Sequence, residues 1–230
     1  EQGHPELQTA DSPTRRVGGA PLEGFETVEH TVPMLSIDNT YNEEELRKFH
    51  DRVVKGLGGD EPEYVVELKL DGVAMSLRYE NGKFARAVTR GDGERGDDVT
   101  NNVRTIKSVP LELKGKSPKT LEFRGEVYMT RSELERINKL REEAGEEPLA
   151  NPRNTTAGTL KQLDPKQVGR RRLNISAYEV VRTPDLDLPT HEAALKQLGK
   201  WGFPVEAHYT CCGSIDAVLE QCELWMEKRG

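Results

Sequence analysis

The pattern of hydrophobic and polar residues predicts a β-hairpin in the first half of the chain. Residues 73–79 and 84–90 both have the composition of strands, and Asn81-Gly82 lies between them. Asn-Gly between two such runs is the strongest short-range signal for a hairpin. We therefore expect the two runs to pair antiparallel, with Arg90 at the end of the hairpin where residue 73 begins.

Lys69 lies just before this hairpin. Residues 64–68 also have strand composition and Asp71-Gly72 is a turn signal, so Lys69 is predicted at the end of a strand. The glycine lets backbone approach a ligand closely, and the aspartate brings a carboxylate near the amine. A lysine becomes a good nucleophile when neighbouring cations or desolvation lower its pKa. Taken alone, however, Lys-x-Asp-Gly is more simply explained by an exposed lysine beside an ordinary turn.

Apolar residues recur at three- and four-residue spacing elsewhere, which is typical of amphipathic helices. Four such helices are predicted. The first begins at about Glu43, the second is capped by Ser132, the third begins at Thr190 and the fourth at Ser214. Their inward residues are, in the same order, Leu46, Phe49, Val53 and Leu57; Leu134, Ile137 and Leu140; Leu195, Leu198 and Trp201; and Ile215, Val218, Leu219, Cys222 and Trp225. Strands are predicted over 120–129 and 173–181, a short helix near 97–104, and a helix in the second half of 151–163. The chain should therefore have an α+β fold.

Composition sets broad limits on the class of protein. With 230 residues and 34% hydrophobic residues, the chain can bury one substantial core. No apolar run approaches the ~20 residues of a membrane span, and we expect a soluble cytoplasmic protein. Cys211, Cys212 and Cys222 fit no zinc pattern with the histidines, and we interpret them as reduced thiols.

The charge is unevenly distributed. The net charge of −7 argues against a protein covered in phosphate contacts, because Lys and Arg carry most of the affinity for DNA. Residues 151–172, however, contain six basic side chains and one acidic one, Asp164. Such a run is usually a solvated face, but it would also suit a surface that faces duplex DNA.

Three further motifs follow the lysine motif in a fixed order. They are Thr89-Arg90-Gly91-Asp92-Gly93, Arg124-Gly125-Glu126-Val127 and a long segment from Asn151 to Pro165 that opens with Asn-Pro-Arg-Asn. Together with Lys69-Leu70-Asp71-Gly72 they resemble the NAD-dependent DNA ligases of bacteria, and the similarity runs from Pro5 to about Trp225. These ligases belong to the covalent nucleotidyltransferases, with other DNA ligases, RNA ligases and mRNA capping enzymes.

The resemblance implies a fold and a domain organisation. The fold would be the α+β nucleotidyltransferase fold of the DNA ligase adenylation domain, also called ATP-grasp-like, with antiparallel sheets flanking a nucleotide cleft. Residues 1–33 would be an extended arm that follows an N-terminal subdomain binding nicotinamide mononucleotide (NMN). Residues 34–230 would be the adenylation domain without its C-terminal lysine motifs.

The resemblance also implies a reaction. Lys69 would attack the α-phosphate of NAD and expel NMN, and the AMP would pass to the 5′-phosphate of a nick in double-stranded DNA, which is then sealed. Mg²⁺ or Mn²⁺ would assist, held chiefly by phosphates and water, and zinc would bind only in a downstream part of the ligase. The protein would act as a monomer in the bacterial cytoplasm, associated with the nucleoid, in DNA replication and repair.

The matching positions imply roles for individual residues. Lys69 would be the nucleophile, and Asp71 would orient it or bind a metal. Glu67 and the Ser36-Ile37 backbone would contact adenine, with Tyr178 stacked against it, and Arg90 and Glu126 would hold the ribose hydroxyls. Arg153 and Lys161 would face phosphate groups of the nucleotide or of DNA. Each position also has a simpler structural interpretation. Glu126, beside Arg124, would be a charge on the strand surface, and Arg90 would pair with Asp92. Tyr178 would belong to the core, Ser36 would be a turn residue, and Arg153 would hold a loop. The joint occurrence of the motifs favours the functional roles.

The chain also departs from the family pattern. Two later lysine-bearing motifs, one of the form Asp-Gly-Val-Val, do not occur before Gly230, so we expect that this chain does not ligate by itself. Thr155-Thr156 and Lys161 stand where the family commonly has alanine and arginine. The alternatives are an ATP-dependent ligase or capping-type nucleotidyltransferase, and a non-catalytic nucleotide-binding module.

Overall fold

A computed structural model of the chain describes residues 24–181 and 186–228. Its elements, in chain order, are β1 (Thr27–Glu29), α1 (Glu43–Gly56), β2 (Tyr64–Val66), β3 (Val73–Glu80), β4 (Lys83–Thr89), β5 (Arg95–Asp97), α2 (Thr100–Val103), β6 (Thr120–Tyr128), α3 (Arg131–Glu143), α4 (Pro152–Leu160), α5 (Pro165–Arg170), β7 (Asn174–Val180), α6 (His191–Trp201), β8 (Thr210–Cys212) and α7 (Ile215–Glu227). The named strands all pair antiparallel, which confirms the predicted mixture of helices and antiparallel sheets.

The described residues form two compact units. The first contains residues 24–34, 70–181 and 186–205, and the second contains 35–69 and 206–228. The first unit is built on a four-stranded sheet of order β4-β3-β6-β7. The predicted hairpin is the β3–β4 pair, turning at Asn81 with φ 51°.

The two faces of β3 differ as strand periodicity requires. Met75, Leu77 and Tyr79 are fully buried in the main core, whereas Ser76 and Arg78 point to the opposite face. Aromatic rings secure this core: the ring centroids of Tyr79 and Phe123 are 5.1 Å apart, and those of Phe123 and Phe203 are 4.3 Å apart. Each such pair contributes about 0.5–1.5 kcal/mol beyond area burial. The central strand is therefore firmly held.

Helix α4 begins earlier than the sequence pattern suggested. Helical structure was predicted only for the second half of 151–163, but the helix starts at Pro152. The Asn151 side chain accepts a hydrogen bond from the backbone N–H of Asn154 at 2.8 Å and so caps the helix. Proline suits the first helical position because its missing N–H would have no partner there.

Three buried threonines line the inner side of α4. The hydroxyls of Thr155, Thr156 and Thr159 each donate to the carbonyl four residues earlier, at 2.7, 2.8 and 2.6 Å. This back-bonding satisfies hydroxyls that would otherwise be costly to bury. At the other end of the helix, the buried Asn102 amide donates to the carbonyls of Leu160 and Gln162.

Several local predictions were wrong in detail. Helix α3 is capped by Thr130, whose hydroxyl accepts from the N–H of Glu133, and not by Ser132. Leu140, expected to face inward, is 52% exposed. The short helix predicted near 97–104 is present as α2, and β5 precedes it at Arg95–Asp97. Periodicity identifies the residues that share a face, but it does not show which of them another element covers.

The second unit consists of α1, α7 and a two-stranded sheet of β2 and β8. Its small core contains Cys212, Ile215 and Val218, with Leu46 and Cys222 packed against them. Phe49 and Leu57, predicted on the inner face of α1, are 38% and 51% exposed. The three cysteines are free thiols, as expected, and Cys222 is half-buried.

Part of the predicted arm can be compared with the structure. Residues 1–23, including the junction motifs near Pro5, lie outside the described residues, whereas β1 pairs with β5. The division of the chain at residues 33 and 34 stays a prediction. Among residues 24–181 and 186–228, no helix combines the length and apolar character needed to cross a membrane.

Candidate functional site

Lys69 is exposed and lies beyond the end of a strand. Strand β2 stops at Val66, so the prediction that Lys69 ends the strand itself was wrong by three residues. Glu67 is half-buried, and Ser36 and Ile37 are exposed. All four residues belong to the second unit.

The glycine of the lysine motif is fixed to a distant strand of the first unit. The Gly72 N–H donates to the Glu126 carboxylate at 3.0 Å, across 54 positions of sequence. Gly72 is buried, and a Cβ added to it would lie 2.1 Å from the carbonyl oxygen of Val127. A side chain therefore does not fit at this position, which explains why the motif requires glycine.

Asp71 forms an ion pair with Arg153. The distance from Arg153 Nη1 to Asp71 Oδ1 is 2.7 Å, and the two side chains are 52% and 74% exposed. The hydrogen bond to Asp71 raises the pKa of the Arg153 guanidinium, with the charge of Glu126 adding to this effect and burial opposing it. The guanidinium of Arg153 thus contacts the aspartate of the lysine motif.

Tyr178 lies within electrostatic reach of the predicted ribose-binding residues. Its side chain is half-buried, and burial raises the pKa of its hydroxyl to about 12. The charges of Glu126 and Glu179 raise this pKa further, whereas those of Arg124 and Arg90 lower it. The sheet register agrees: Glu126 stands opposite Ala74, whose carbonyl accepts from the Arg90 N–H, and Tyr178 lies on the adjoining strand β7, so these three predicted contacts belong to neighbouring strand positions of the first unit.

The alternative interpretation of Arg90 as the partner of Asp92 does not match the structure. Asp92 Oδ1 accepts from the backbone N–H groups of Glu94 and Arg95, at 2.9 and 2.7 Å, and these bonds lower the pKa of Asp92. The backbone N–H of Arg90 donates to Ala74 O at 3.0 Å, and its side chain is exposed. Arg90 is thus at the predicted end of the hairpin.

Lys161 is engaged elsewhere. It follows α4 and its ammonium group lies 3.1 Å from Asp97 Oδ2, in an ion pair whose side chains are 63% and 29% exposed. The sequence motifs do not point to Asp97. The contact does not join Lys161 to the group formed by Asp71, Glu126 and Arg153.

Arg124 is the main site residue that sequence reasoning missed. It is 8% exposed and is the one buried basic residue among residues 24–181 and 186–228, and the sequence motifs assigned it no role of its own. The available signal was its spacing of two from Glu126, which places both side chains on one face of β6. Its partners, described below, are far away in sequence and could not be inferred.

Metal-ligating side chains do not cluster in the part of the chain that the structure describes. Within it, no group of three or more His, Cys, Asp or Glu residues is arranged to hold a metal ion. Asp71 is the carboxylate within the lysine motif, and it is 74% exposed. The arrangement can thus offer a metal one carboxylate beside a turn.

Comparison with known proteins agrees with these motifs. Residues 22–230 match the model of a family described as the NAD-dependent DNA ligase adenylation domain. Similar proteins include the DNA ligases of Fervidobacterium nodosum, 54% identical over 229 residues, Thermotoga maritima, 52% over 229, and Cytophaga hutchinsonii, 48% over 230. Each comparison covers 100% of this chain and 33–34% of the relative, so the chain spans about a third of the length of the curated relatives it matches. The chain belongs to the family of NAD-dependent DNA ligase adenylation domains.

Proposed function

We propose that this chain carries the nucleotide-transferring residues of an NAD-dependent DNA ligase. In this proposal its antiparallel sheets form the nucleotidyltransferase fold, with residues 1–33 as the arm and 34–230 as the adenylation domain. The family match over residues 22–230 supports the NAD-dependent class over an ATP-dependent or capping-type enzyme. The relatives named DNA ligase support the sealing of DNA as the activity of the whole protein.

The meeting of three motifs in space, through two contacts, carries the proposal. The hydrogen bond from Gly72 to Glu126 joins the lysine motif to the Arg-Gly-Glu motif. The Asp71–Arg153 ion pair adds the Asn-Pro-Arg-Asn motif to the same group. Motifs that are dispersed in sequence but meet in space are what a composite nucleotide site requires.

The reaction is phosphoryl transfer. The uncharged amine of Lys69 would form a bond to the α-phosphorus of NAD, while the bond to the bridging oxygen of the NMN phosphate breaks and the amine proton is released. A 5′-phosphate oxygen of nicked DNA would then displace the lysine, and the 3′-hydroxyl would displace AMP. In such steps the protein supplies positioning and charge more than covalent chemistry.

The nucleoside would be held by the residues that the motifs indicate. Tyr178 and Glu67 would contact adenine, together with the backbone of Ser36-Ile37. Arg90 and Glu126 would bind the ribose hydroxyls. A carboxylate has about four acceptor sites, so Glu126 can accept from Gly72 and also from a hydroxyl.

Arg153 and Lys161 would serve phosphate groups. Both now pair with carboxylates, Asp71 and Asp97, and both basic side chains are more than half exposed. Exposed ion pairs contribute about 0–1 kcal/mol, so a phosphate could replace either carboxylate at small cost. Arginine suits this role because its fork of donors matches phosphate geometry.

A divalent cation fits the chemistry of these residues. Mg²⁺ prefers oxygen ligands and often binds through one carboxylate together with substrate phosphates and water. Asp71 is suited to supply that carboxylate for Mg²⁺ or Mn²⁺. When bound, the ion would reduce the negative charge on the transferring phosphate. Zinc would belong to the downstream part of the ligase.

The partners and location follow from this function. The whole protein would act as a monomer on nicked double-stranded DNA in replication and repair. It would work in the bacterial cytoplasm, at the nucleoid. The basic residues 151–172 would contribute to the surface that faces DNA.

Adenylation can be tested directly. The complete gene product containing this chain would be incubated with NAD labelled in adenine and, separately, with labelled ATP, and the labelled residue located by mass spectrometry. We expect one adenylate on Lys69 with NAD and none with ATP. Lys69→Ala should abolish labelling, whereas Lys107→Ala, which alters another exposed lysine, should not.

Each other outcome would refute a defined part of the proposal. Label on another residue, or label that survives in Lys69→Ala, would exclude Lys69 as the nucleophile. Labelling by ATP alone would assign the chain to the ATP-dependent class. Binding of AMP in calorimetry without any labelling would indicate a non-catalytic nucleotide-binding module.

A further inference from the structure

Arg124 lies in the middle of the polar face of the four-stranded sheet. In the register of β6 it stands opposite Ser76 on one side and Glu179 on the other. Its side chain is 9% exposed. Burial of a guanidinium is unfavourable unless hydrogen bonds compensate for lost water, so its partners show what the position requires.

Its partners are two backbone carbonyls and one carboxylate. Nη2 donates to Val32 O and to Pro33 O, both at 3.0 Å, and Nη1 donates to Glu179 Oε2 at 3.2 Å. The carbonyls lie 92 and 91 positions away in sequence. One side chain thus fixes a distant backbone segment to the sheet, and the planar fork of arginine makes this possible.

The same segment is held from its other side by the loop after β4. The backbone N–H of His30 donates to Glu94 O and that of Met34 donates to Gly93 O, both at 2.8 Å. The Met34 side chain is 4% exposed. Residues 30–34 therefore lie between Arg124 and the loop that carries the Thr-Arg-Gly-Asp-Gly motif, with hydrogen bonds to both.

This anchor lies next to the proposed nucleotide contacts of the first unit. Glu126 is two positions along β6 on the same face, and Glu179 directly follows Tyr178. The charge of Arg124 also affects the ionisation of Tyr178. Along the chain, Ser36 and Ile37 follow two and three residues after Met34.

We propose that Arg124 is a positioning residue for adenosine binding: it fixes residues 32–34 and the Glu179 carboxylate beside Tyr178 and Glu126. It does not touch the reacting atoms. The inference rests on the proposed function, because it assigns Arg124 to the same nucleotide site. Loss of the anchor should therefore weaken nucleotide binding more than it slows transfer to Lys69.

The test is Arg124→Lys, since lysine keeps the charge but cannot reproduce the fork. The matched control is Arg141→Lys, because Arg141 also binds a loop carbonyl, Glu147 O at 2.7 Å, and a carboxylate, Glu146 at 2.7 Å. Hydrogen exchange of residues 31–37 would be measured without ligand. Lysine adenylation of the complete gene product would be measured over a range of NAD concentrations.

For Arg124→Lys we expect exchange at the Met34 amide to rise about tenfold or more, with exchange in β6 unchanged. We expect KM for NAD to rise about tenfold and the maximal rate to change less than about threefold, because uniform binding is lost. Arg141→Lys should change neither quantity. Glu179→Gln, which keeps an acceptor but removes the charge, should shift KM in the same direction by a smaller factor.

Several outcomes would overturn the inference. Unchanged exchange over 31–37 would show that Arg124 does not anchor the segment. A fall in maximal rate with KM unchanged, or an equal effect of Arg141→Lys, would indicate a general structural role. If Arg124→Lys does not fold, an unchanged KM in Glu179→Gln would overturn it. If the unaltered protein forms no lysine adenylate, the proposed function fails, and exchange alone then decides whether the anchor exists.

Discussion

Replacement of Gly72 by alanine should destabilise the first unit severely. The new Cβ would lie 2.1 Å from Val127 O and 2.9 Å from Val127 C, where ordinary contacts are 3.4–4 Å. The obstructing atoms are backbone atoms of β6 and cannot rotate away. The chain would have to shift at the start of β3, and the bond from Gly72 to Glu126 would be lost.

The magnitude follows from these two losses. A part-buried hydrogen bond to a carboxylate contributes about 1.5 kcal/mol, and overpacking costs about 1–3 kcal/mol. The free energy of unfolding should therefore fall by about 2.5–4.5 kcal/mol, a large share of the roughly 5–15 kcal/mol of a typical domain. Urea titration followed by circular dichroism measures this quantity.

Gly158→Ala is the matched control. Gly158 lies inside α4, and a Cβ there would meet no heavy atom within 4 Å. Because alanine favours helix over glycine, we expect this variant to be unchanged or more stable by up to about 1 kcal/mol. A Gly72→Ala protein within about 0.5 kcal/mol of the unaltered chain, or equal damage from both substitutions, would refute the reasoning.

Three further predictions concern polar side chains that are partly or fully buried. The pKa of Tyr178 is about 12 in the folded chain, against an ordinary 10.0. Because the unfolded state ionises first, the free energy of unfolding should fall as pH rises from about 10 to 12. Tyr178→Phe should remove about 2 kcal/mol of that fall, measured by urea titration at each pH. The hydrogen bonds from Arg136 hold the pKa of Glu133 below its ordinary 4.5, so the ionised carboxylate stabilises the folded chain above that pH and this stabilisation is lost in acid. Glu133→Gln should lower the free energy of unfolding by about 1–3 kcal/mol at pH 7. The difference between the variant and the unaltered chain should shrink below about pH 4. Asn102→Ala should lower the free energy of unfolding by about 2 kcal/mol, since it leaves two carbonyls at the end of α4 without their donor.

Neighbouring or equivalent exposed residues provide the controls. Tyr41→Phe changes a tyrosine that is 82% exposed and should leave the alkaline fall in stability as it is. Glu135→Gln and Asn101→Ala alter exposed side chains beside Glu133 and Asn102, and each should change stability by less than about 0.5 kcal/mol. Equal effects in a control and its partner would remove the role assigned to the buried contact.

Local signals identified the hairpin because its determinants lie within a few residues. Asn81-Gly82 sets the turn of β3 and β4 whatever surrounds it. The start of α4 is also encoded locally, by an asparagine cap followed by proline, whereas apolar periodicity marks only its second half. Element bounds are thus recoverable when caps are considered with periodicity.

The contacts of the candidate site could not be inferred in the same way. The Gly72–Glu126 and Asp71–Arg153 contacts span 54 and 82 positions, and both depend on how distant segments pack. Motif order indicated which residues belong together, but not which pairs touch. The burial of Arg124 was likewise hidden, because the carbonyls that compensate for it belong to another segment.

The threonines of α4 have a consequence for how this helix can diverge. At positions 155 and 156 the hydroxyl bonds only inside its own turn, so alanine there removes a donor without depriving any other element of a partner. Thr159 differs, because its oxygen also accepts from Arg171. Alanine and threonine should therefore interchange over generations at the first two positions, while the third stays tied to Arg171.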